Sequence, residues 1–435
     1  MAFDADTLTL LHNCYLEYQY KNVKYDKMHD YYKGDTDAME NYKLITERSN
    51  NKAKCNFIKK FIDEEVSYSL GNEIAYLSNS GDKNIIDALT YSLAHWSTAH
   101  DSKLGKTLYK YGIVYELYYI EEDLQGSNQF SCKIISPQHG YAYLDEKGKV
   151  AYFLHIFQKK FNAKTFIDVY TPQFIYHCDL AFGEIAPPTV NIFGIVPVGI
   201  AKIDGTIYDA IKGLQDAYET NLSDISNEIS DFRNAYLTFA GCELDKEQIT
   251  KMKELGIINL PGEKSVASWL IKNINDSFIQ NTLTTIEDKM YQLTAHINHN
   301  EKMQSNLSGI ALRSRLISLE EKCKLNQKAI ADCIITRLQL LFLWLKIEKG
   351  EIYDFRDIKL KFTPNIPQDD LTTAQMIAAV GTDFFPKETT YSLFSFISNP
   401  QNEVKKSDAE NEPNKVGQEI FNSVSDSSDG GAVNE

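Results

Sequence analysis

The sequence of 435 residues lacks a long apolar run, paired cysteines and an excess of basic residues. Its longest apolar run covers only residues 340–345, whereas a membrane-spanning helix needs roughly 20 apolar residues. The seven cysteines are far apart and odd in number, which predicts buried free thiols rather than disulfides or a zinc site. The first residues, Met1 to Asp6, are acidic and lack the basic start of a signal peptide.

Basic residues are too few for a protein that grips nucleic acid. Lysine and arginine total 45 against 60 aspartates and glutamates, which gives a net charge of −15. Tight DNA binding depends on neutralising phosphates, so this charge argues against a conventional DNA-binding protein. An acidic chain could still surround DNA without holding it.

Recognisable catalytic motifs are also missing. No Gly-x-Ser-x-Gly elbow occurs, and the stretch from Gly262 to Ser265 lacks the spacing of a phosphate-binding loop. His296 and His299 lie one helical turn apart and could in principle ligate a metal. Because the sequence places no carboxylate on their face, a solvated polar face is the favoured interpretation. We expect no catalytic residue, no metal and no cofactor.

Long helical stretches dominate the second half of the sequence. Residues 204–241 carry apolar side chains every three or four positions, which predicts one helical face. A third helix is predicted from Ser308 to about Gly350. Residues 277–299, between these two helices, form the second helix. Their apolar residues alternate in steps of four and three, the spacing of a seam that packs against another helix. The seam consists of Ile279, Leu283, Ile286, Met290, Leu293 and Ile297.

An insert at residues 242–276 separates the first two of these helices. Residues 257–260 and 265–271 are predicted to form two short strands around a turn at Pro261. The insert is too small for a core of its own, so we expect it to need neighbouring copies.

The first half of the sequence changes character near Gly112. Residues 1–75 and 83–110 are predicted to be helical, with Gly34 as a helix C-cap and Asn51 as a possible N-cap. Residues 112–200 contain β-branched and aromatic runs separated by turn residues, which predicts an antiparallel β region.

The last part of the sequence has shorter predicted elements and is more polar. Residues 358–362 alternate like an edge strand, and short helices are predicted at 372–380 and 387–397. Residues 401–435 offer little apolar surface, so we predict that they are disordered.

Several short motifs follow one another in a characteristic order. They are Tyr31 to Gly34, Asn51 to Asp63, Leu70-Gly71-Asn72, Lys110 to Glu116, Asn191 to Pro197, Asp216-Ala217-Tyr218, Ser308 to Leu312 and Asn399 to Glu403. In this order, and combined with the helix, insert, helix, loop, helix arrangement, they resemble the portal proteins of tailed bacteriophages. The resemblance is to the branch typified by the Bacillus phage SPP1 portal and covers roughly residues 28–403.

The resemblance implies an α+β portal fold, with a mixed α/β wing, a long-helix stem, a small α/β clip and a short helical crown. In chain order it assigns a wing to 1–203, the first stem helix to 204–241, the clip to 242–276, the second stem helix to 277–299, the tunnel loop to 300–308, the long wing helix and wing strand to 309–370, the crown to 371–400 and the tail to 401–435. The crown is short for the family.

The same resemblance implies three sets of functional residues. The seam of the second stem helix, with Ile286 at its centre, is expected to pack between adjacent stems. A DNA-facing tunnel loop would contain Lys302, Gln304, Ser305, Asn306, Leu307 and Ser308. The clip interface would contain Leu255, Ile257, Leu260 and Trp269.

Portal proteins of this kind form a ring, usually of twelve subunits, at one capsid vertex. The implied partners are other copies of the chain, double-stranded DNA bound without sequence preference, the terminase large subunit, a head-completion or adaptor protein, and the major capsid and scaffolding proteins. No membrane partner, cofactor or enzymatic activity is implied. The expected location is the virion, after assembly in the cytoplasm of the host bacterium.

Two other functions stay open on the sequence alone. A metal-dependent phage nuclease could use His296 and His299, but would need carboxylates that the sequence does not place beside them. A cytosolic coiled-coil scaffold without a DNA role could use the long helices, but would give an elongated dimer or trimer rather than a ring.

Overall fold

The computed structural model describes residues 3–43, 50–232, 236–240, 247, 250, 265–270, 276–298, 309–365, 370–380, 385–394 and 403–409. Helix α1 (Ala5–Lys33) begins after Asp4, whose carboxylate accepts a hydrogen bond from Thr7 N at 2.7 Å. It ends at Gly34, which has φ +89°, so the predicted glycine C-cap is confirmed.

The remaining N-terminal helices are α2 (Asp37–Asn41), α3 (Phe57–Leu70), α4 (Lys83–Leu93) and α5 (His100–Tyr111). Two predictions here were wrong. Asn56 rather than Asn51 caps α3, with its Oδ1 2.9 Å from Lys59 N. The helix expected over 83–110 is two helices, because the backbone turns between α4 and α5, where His100 N donates to Ser97 O.

Two antiparallel sheets form the β region that the sequence predicted. The strands are β2 (Ile113–Glu122), β3 (Asn128–Ile135), β4 (Gly140–Leu144), β5 (Val150–Gln158), β6 (Thr165–Tyr170), β7 (Phe174–Cys178), β8 (Glu184–Val190) and β9 (Val198–Lys202). One sheet has the order β3-β2-β9 and the other β4-β5-β6-β7-β8. Strand β8 was not predicted because it contains two prolines, which fit only at the edge position it occupies.

Three groups of buried side chains hold these elements together. The largest joins α3, α5, the β2 sheet and the beginning of the first long helix, with Phe61, Tyr118 and Phe130 fully buried. A second group lies between α1 and the five-stranded sheet. A third fills the space between the two sheets.

The helical hairpin expected from the sequence is present with different limits. Helix α6 (Ile207–Phe232) is followed by strand β10 (Tyr236–Ala240), and strand β11 (Val266–Leu270) precedes helix α7 (Asp276–Thr294). The prediction of helix through residue 241 was wrong, because Tyr236 to Ala240 pair antiparallel with β11. The predicted second strand of the insert is confirmed, but residues 257–260 lie outside the described residues.

Helix α8 (Gly309–Lys349) ends at Gly350, which has φ +73°. Strand β12 (Ile358–Lys361), the predicted edge strand, pairs with β1 (Ala75–Ser78). Among the described residues, no helix is long and apolar enough to span a bilayer.

The described residues 309–314, 370–380, 385–394 and 403–409 belong to a second compact unit. It contains α9 (Asp370–Val380) and α10 (Lys387–Ser392), close to the two short helices predicted. The prediction that all of 401–435 is disordered was wrong for residues 403–409, which are helical. Their Asp408 accepts from Lys387 Nζ at 2.6 Å, an ion pair that the composition of the tail did not indicate.

Candidate functional site: helices α6 and α7 and their clamp

The paired helices α6 and α7 are the candidate functional site. They pack side by side, and a small groove of about 170 Å³ between them is lined by residues including Ile225, Ile279 and Leu283. Phe278, at the beginning of α7, lines the same groove and is 68% exposed. Part of the predicted seam therefore faces α6 of the same chain.

The seam of α7 serves different surfaces along its length. Met290 is fully buried in the main core of the chain, and Ile286 packs against that core. The expectation that Met290 contacts an adjacent stem was therefore wrong, because its own chain covers it completely. Leu293, in contrast, is 59% exposed and remains available to another molecule.

The predicted end of this helix was also wrong. Helix α7 ends at Thr294, so Ile297 lies beyond it. Ala295 has φ +61°, and His296 N donates to Tyr291 O at 3.0 Å. This closure usually places glycine at the left-handed position, so alanine there gave no signal in the sequence.

Charge on the two helices is strongly negative. Helix α6 has six carboxylates and one lysine, and α7 has three carboxylates and one lysine, which gives a net charge of −7 for the pair. These helices could not bind a DNA backbone through general electrostatic attraction, because phosphates would be repelled.

A row of buried polar side chains runs along α6. Gln215, Glu219, Ser223 and Asn227 are four residues apart and almost completely inaccessible to solvent. They face residues 50–57, a segment that ends on the first residue of α3 and that we call the strap. Four residues of helix advance about 6 Å and two residues of extended chain about 6.6 Å, so each side chain meets every second strap residue.

The side chains bind the backbone of the strap. Ser223 Oγ accepts from Ala53 N at 2.9 Å, and Glu219 Oε1 accepts from Cys55 N at 2.8 Å. At the other positions an amide binds twice: Asn227 accepts from Asn51 N and donates to Asn51 O, and Gln215 accepts from Phe57 N and donates to Cys55 O. We call this set of contacts the clamp.

Hydroxyl groups from α1, α2 and their flanks bind neighbouring positions of α6. Tyr31 Oη donates to Asp216 at 2.7 Å, Tyr42 Oη donates to Asp224 at 2.7 Å, and Thr36 Oγ1 donates to Glu219 Oε2. Burial raises the pKa of Glu219, although the bonds from Thr36 and Cys55 oppose that effect. Glu219 therefore joins α2, the strap and α6.

The clamp was missed in the sequence because only the apolar period of α6 was considered. A polar residue at every fourth position, Gln215, Glu219, Ser223 and Asn227, was the available signal. Four such residues on a helix that is otherwise amphipathic indicate a buried polar contact, since they share one face.

Helix α3, which begins at the last residue of the strap, connects α6 and α7 to the rest of the chain. Lys60 Nζ lies 2.5 Å from Tyr291 Oη of α7, and Phe61 packs edge-on against the Tyr291 ring. Further along α3, the buried Glu65 forms an ion pair with Lys322 of α8. The strap and α3 thus link α6, α7 and α8 through side-chain contacts.

The interpretation of His296 as part of a solvated polar face was wrong. Its ring is buried and stacks on Phe61, with Nδ1 2.9 Å from Thr294 O and Nε2 3.1 Å from Phe61 O. Burial, with a contribution from Lys322, lowers its pKa to about 3. His296 therefore connects the end of α7 to α3 and is not presented to a metal. His299 lies outside the described residues.

One other cluster has the residue types of a metal site. His100, Glu116 and Cys132 place ligand atoms within 4.8 Å of one another. Glu116, however, already binds Arg337 Nη2 at 2.9 Å and Tyr118 Oη at 2.7 Å. Burial raises the pKa of the Cys132 thiol, which keeps it protonated. The cluster fits a neutralised buried carboxylate better than a metal centre.

Other predicted site residues cannot be placed in the same way. The tunnel-loop residues Lys302 and 304–308 lie outside the described residues, as do the clip residues Leu255, Ile257 and Leu260. Trp269 lies on β11, in register with Leu237 of β10.

Solved structures that contain a similar chain include those of gene transfer agent particles. A chain from the virion of the native particle has 13% sequence identity and a TM-score of 0.44, covering 77% of this chain and 88% of that one. A chain from the neck of the native particle, computed with C12 symmetry, has 12% identity and a TM-score of 0.44, covering 78% and 90%. No curated protein matches the chain.

A family comparison covers most of the sequence. The model of the family described as "Phage portal protein, SPP1 Gp6-like" matches residues 11–416. This span includes the strap, α6, α7, α8 and the helices of the second unit. The chain therefore belongs to the SPP1 Gp6-like family of phage portal proteins.

Proposed function

We propose that the chain is the subunit of a closed ring, of twelve copies, that conducts DNA through one vertex of a phage capsid. The observation that carries this proposal is the family match over residues 11–416. Within the ring, α6 and α7 are the stem, and β10 and β11 belong to the clip. The α1–α5 helices and the two sheets belong to the wing.

The negative charge of the stem favours a channel through which DNA slides over a surface that binds DNA tightly. A net charge of −7 on α6 and α7 keeps phosphates from adhering, so a duplex could slide past the helices during packaging and ejection. Retention then depends on weaker contacts elsewhere. The tunnel loop, with Gln304, Ser305, Asn306 and Ser308 beside Lys302, offers mostly neutral hydrogen-bonding groups for that role.

Exposed apolar residues on the stem support contact between subunits. Phe278 and Leu293 on α7 and Ile229 on α6 are each more than half exposed, although the chain buries other residues of the same helices. Rings are closed by heterologous contacts between unlike faces of neighbouring copies, which would cover such residues.

The remaining partners follow from the proposed place in the capsid. We assign terminase docking during packaging, and later the head-completion protein, to the clip. The wing would face the major capsid and scaffolding proteins. The particle would be assembled in the cytoplasm of the host bacterium, and the protein itself would be structural.

The test is the assembly state of the purified full-length chain. Native mass spectrometry and negative-stain microscopy at micromolar concentration should give rings of about a dozen copies with a central channel. Monomers or dimers alone would contradict the proposal. An elongated dimer or trimer would instead favour a coiled-coil scaffold, and cleavage of plasmid DNA on addition of a divalent metal would favour a nuclease.

A further inference from the structure

The hairpin between β5 and β6 has an unusual tip. Its residues 159–164 contain three exposed lysines, Lys159, Lys160 and Lys164, and no carboxylate, in a chain with a net charge of −15. Among the described residues, no carboxylate oxygen lies within ion-pair distance of these three amines. The tip is therefore a local positive patch with no counter-charge in the described part of the chain.

Phe161 occupies the centre of this tip in a strained conformation. Asn162 N donates to Lys159 O at 2.9 Å, which closes a turn with Phe161 at its third position and φ +64°. Glycine or asparagine is the usual residue at such a position, because a side chain there crowds the backbone. The Phe161 side chain is also 96% exposed to solvent.

A second phenylalanine of the same chain shows why this matters. Phe182 has nearly the same backbone conformation, φ +58°, but its ring is only 3% exposed and lies in the core between α1 and the sheet. Burial of the ring offsets the strain at Phe182. Among the described residues no such burial offsets the strain at Phe161, whose ring is exposed.

Two further aromatic rings lie on the strands that the tip connects. Phe157 and Phe166 are cross-strand partners with ring centroids 5.9 Å apart, and both are half-buried. Lys159 Nζ lies 5.0 Å from the centroid of Phe166, and Lys160 Nζ 5.0 Å from that of Phe161. Amines and rings are thus interleaved on one surface, which we call the tip surface.

We propose that the tip surface is a docking site for a carboxylate-rich segment of a partner protein, with an apolar side chain of that segment packed on Phe161. Carboxylates complement the three lysines, and a central aromatic residue surrounded by polar groups is the usual anchor of a protein interface. The inference does not depend on the function proposed above.

Duplex DNA and an anionic membrane are less suitable occupants. Three lysines could neutralise only about three phosphates, while the net charge of the whole chain repels the duplex. One phenyl ring is a small apolar anchor for a bilayer, and a stable attachment needs more than one signal.

The experiment measures binding to the full-length protein by fluorescence anisotropy, with a labelled peptide of alternating glutamate and phenylalanine as the probe. Lys159→Glu with Lys160→Glu should weaken binding roughly tenfold or more. Lys147→Glu with Lys149→Glu, on the neighbouring β4–β5 hairpin, makes the same change in net charge and should leave binding unchanged.

A second variant separates docking from folding. Phe161→Asn introduces a residue that tolerates the left-handed backbone conformation of the turn, so the melting temperature should not fall. Peptide binding should nevertheless weaken, because the aromatic ring is lost. The proposal is overturned if the peptide does not bind, if both lysine pairs behave alike, or if Phe161→Asn binds as well as the unmodified chain. Tip-dependent binding of duplex DNA or anionic vesicles in preference to the peptide also overturns it.

Discussion

The side-chain amide of Asn227 binds the backbone of Asn51 from both sides. Its Oδ1 accepts from Asn51 N at 2.6 Å and its Nδ2 donates to Asn51 O at 2.9 Å. This is the pair of hydrogen bonds that a neighbouring β-strand would supply. A helix side chain thus takes the place of a strand for the strap, and Asn227 itself has no exposed surface.

Replacement of Asn227 by alanine should therefore destabilise the chain by about 2 kcal/mol, because a buried set of polar contacts is lost. Urea unfolding measures the change, and hydrogen exchange should show faster exchange for peptides covering residues 50–57. Asn221→Ala is the matched control, since within the described part of the chain the Asn221 amide donates only to Ala217 O of its own helix. Equal effects of the two variants would show that the clamp does not hold the strap.

Glu219 predicts a distinct dependence of stability on pH. Burial raises its pKa in the folded chain, so the folded state binds a proton more readily than the unfolded state. Its contribution to stability is therefore present at low pH and is lost as pH rises from the usual glutamate range through the raised folded value.

Glu219→Gln tests this dependence. The glutamine can still accept from Cys55 N and can donate to Thr36 Oγ1, so the variant should be at least as stable as the parent at neutral pH. The free energy of unfolding, measured by urea at a series of pH values, should lose the Glu219 contribution to its slope. The exposed Glu73→Gln should leave the slope unchanged; an identical slope for Glu219→Gln would contradict the argument.

Met290 and Leu293 should separate folding from assembly. Met290→Ala leaves a cavity in the main core and should lower the free energy of unfolding by about 2–5 kcal/mol. Leu293→Glu changes a side chain that is 59% exposed, so the stability of a subunit should change little while ring formation decreases. Urea unfolding and native mass spectrometry measure the two effects. Normal rings from Leu293→Glu would remove this residue from the proposed contact between subunits.

The proposed tunnel loop gives a prediction about DNA. Ser305→Glu with Asn306→Glu should leave folding and ring assembly intact, because both residues are expected in a polar loop. Packaging or retention of DNA should fall, since a ring of added negative charge would face the phosphates at short distance. Nuclease-protected DNA per particle is the measurement. Normal packaging and retention, or a structure with the loop on the outer surface, would refute the assignment.

Elements that depend on local pattern could be predicted from the sequence. The antiparallel β region begins next to Gly112, as predicted, and α8 ends at the predicted glycine. The limits of α6 were predicted less well, because Tyr236 continues its apolar spacing but lies on β10. Pairing with β11, thirty residues away, decides that strand, and periodicity does not contain such information.

The candidate site was only partly predictable for the same reason. The seam of α7 was visible in the spacing of Ile279 to Leu293, but the molecule that each seam residue contacts was not. Met290 faces its own core and Leu293 faces solvent, although both fit one heptad pattern. The clamp depends on contacts between residues about 170 positions apart, and its strap has no side-chain pattern that would point to α6.

The two sides of the clamp differ in kind: α6 contributes side chains, and the strap contributes backbone groups. Because the clamp contacts only N–H and C=O groups of the strap, a mutation that changes Lys52 or Lys54 alters none of its hydrogen bonds, whereas a mutation at Ser223 or Asn227 removes at least one. Asn51 and Phe57 differ, because the Asn51 amide also donates to Ser230 Oγ of α6 and the Phe57 ring packs edge-on against Tyr218. Two chains could thus differ at positions 52 and 54 and still fold in the same way, provided that each keeps a hydrogen-bonding side chain at every fourth position of the helix. In a comparison of distant sequences, polar residues at every fourth position of α6 would therefore indicate the strap more reliably than the amino acids of the strap do.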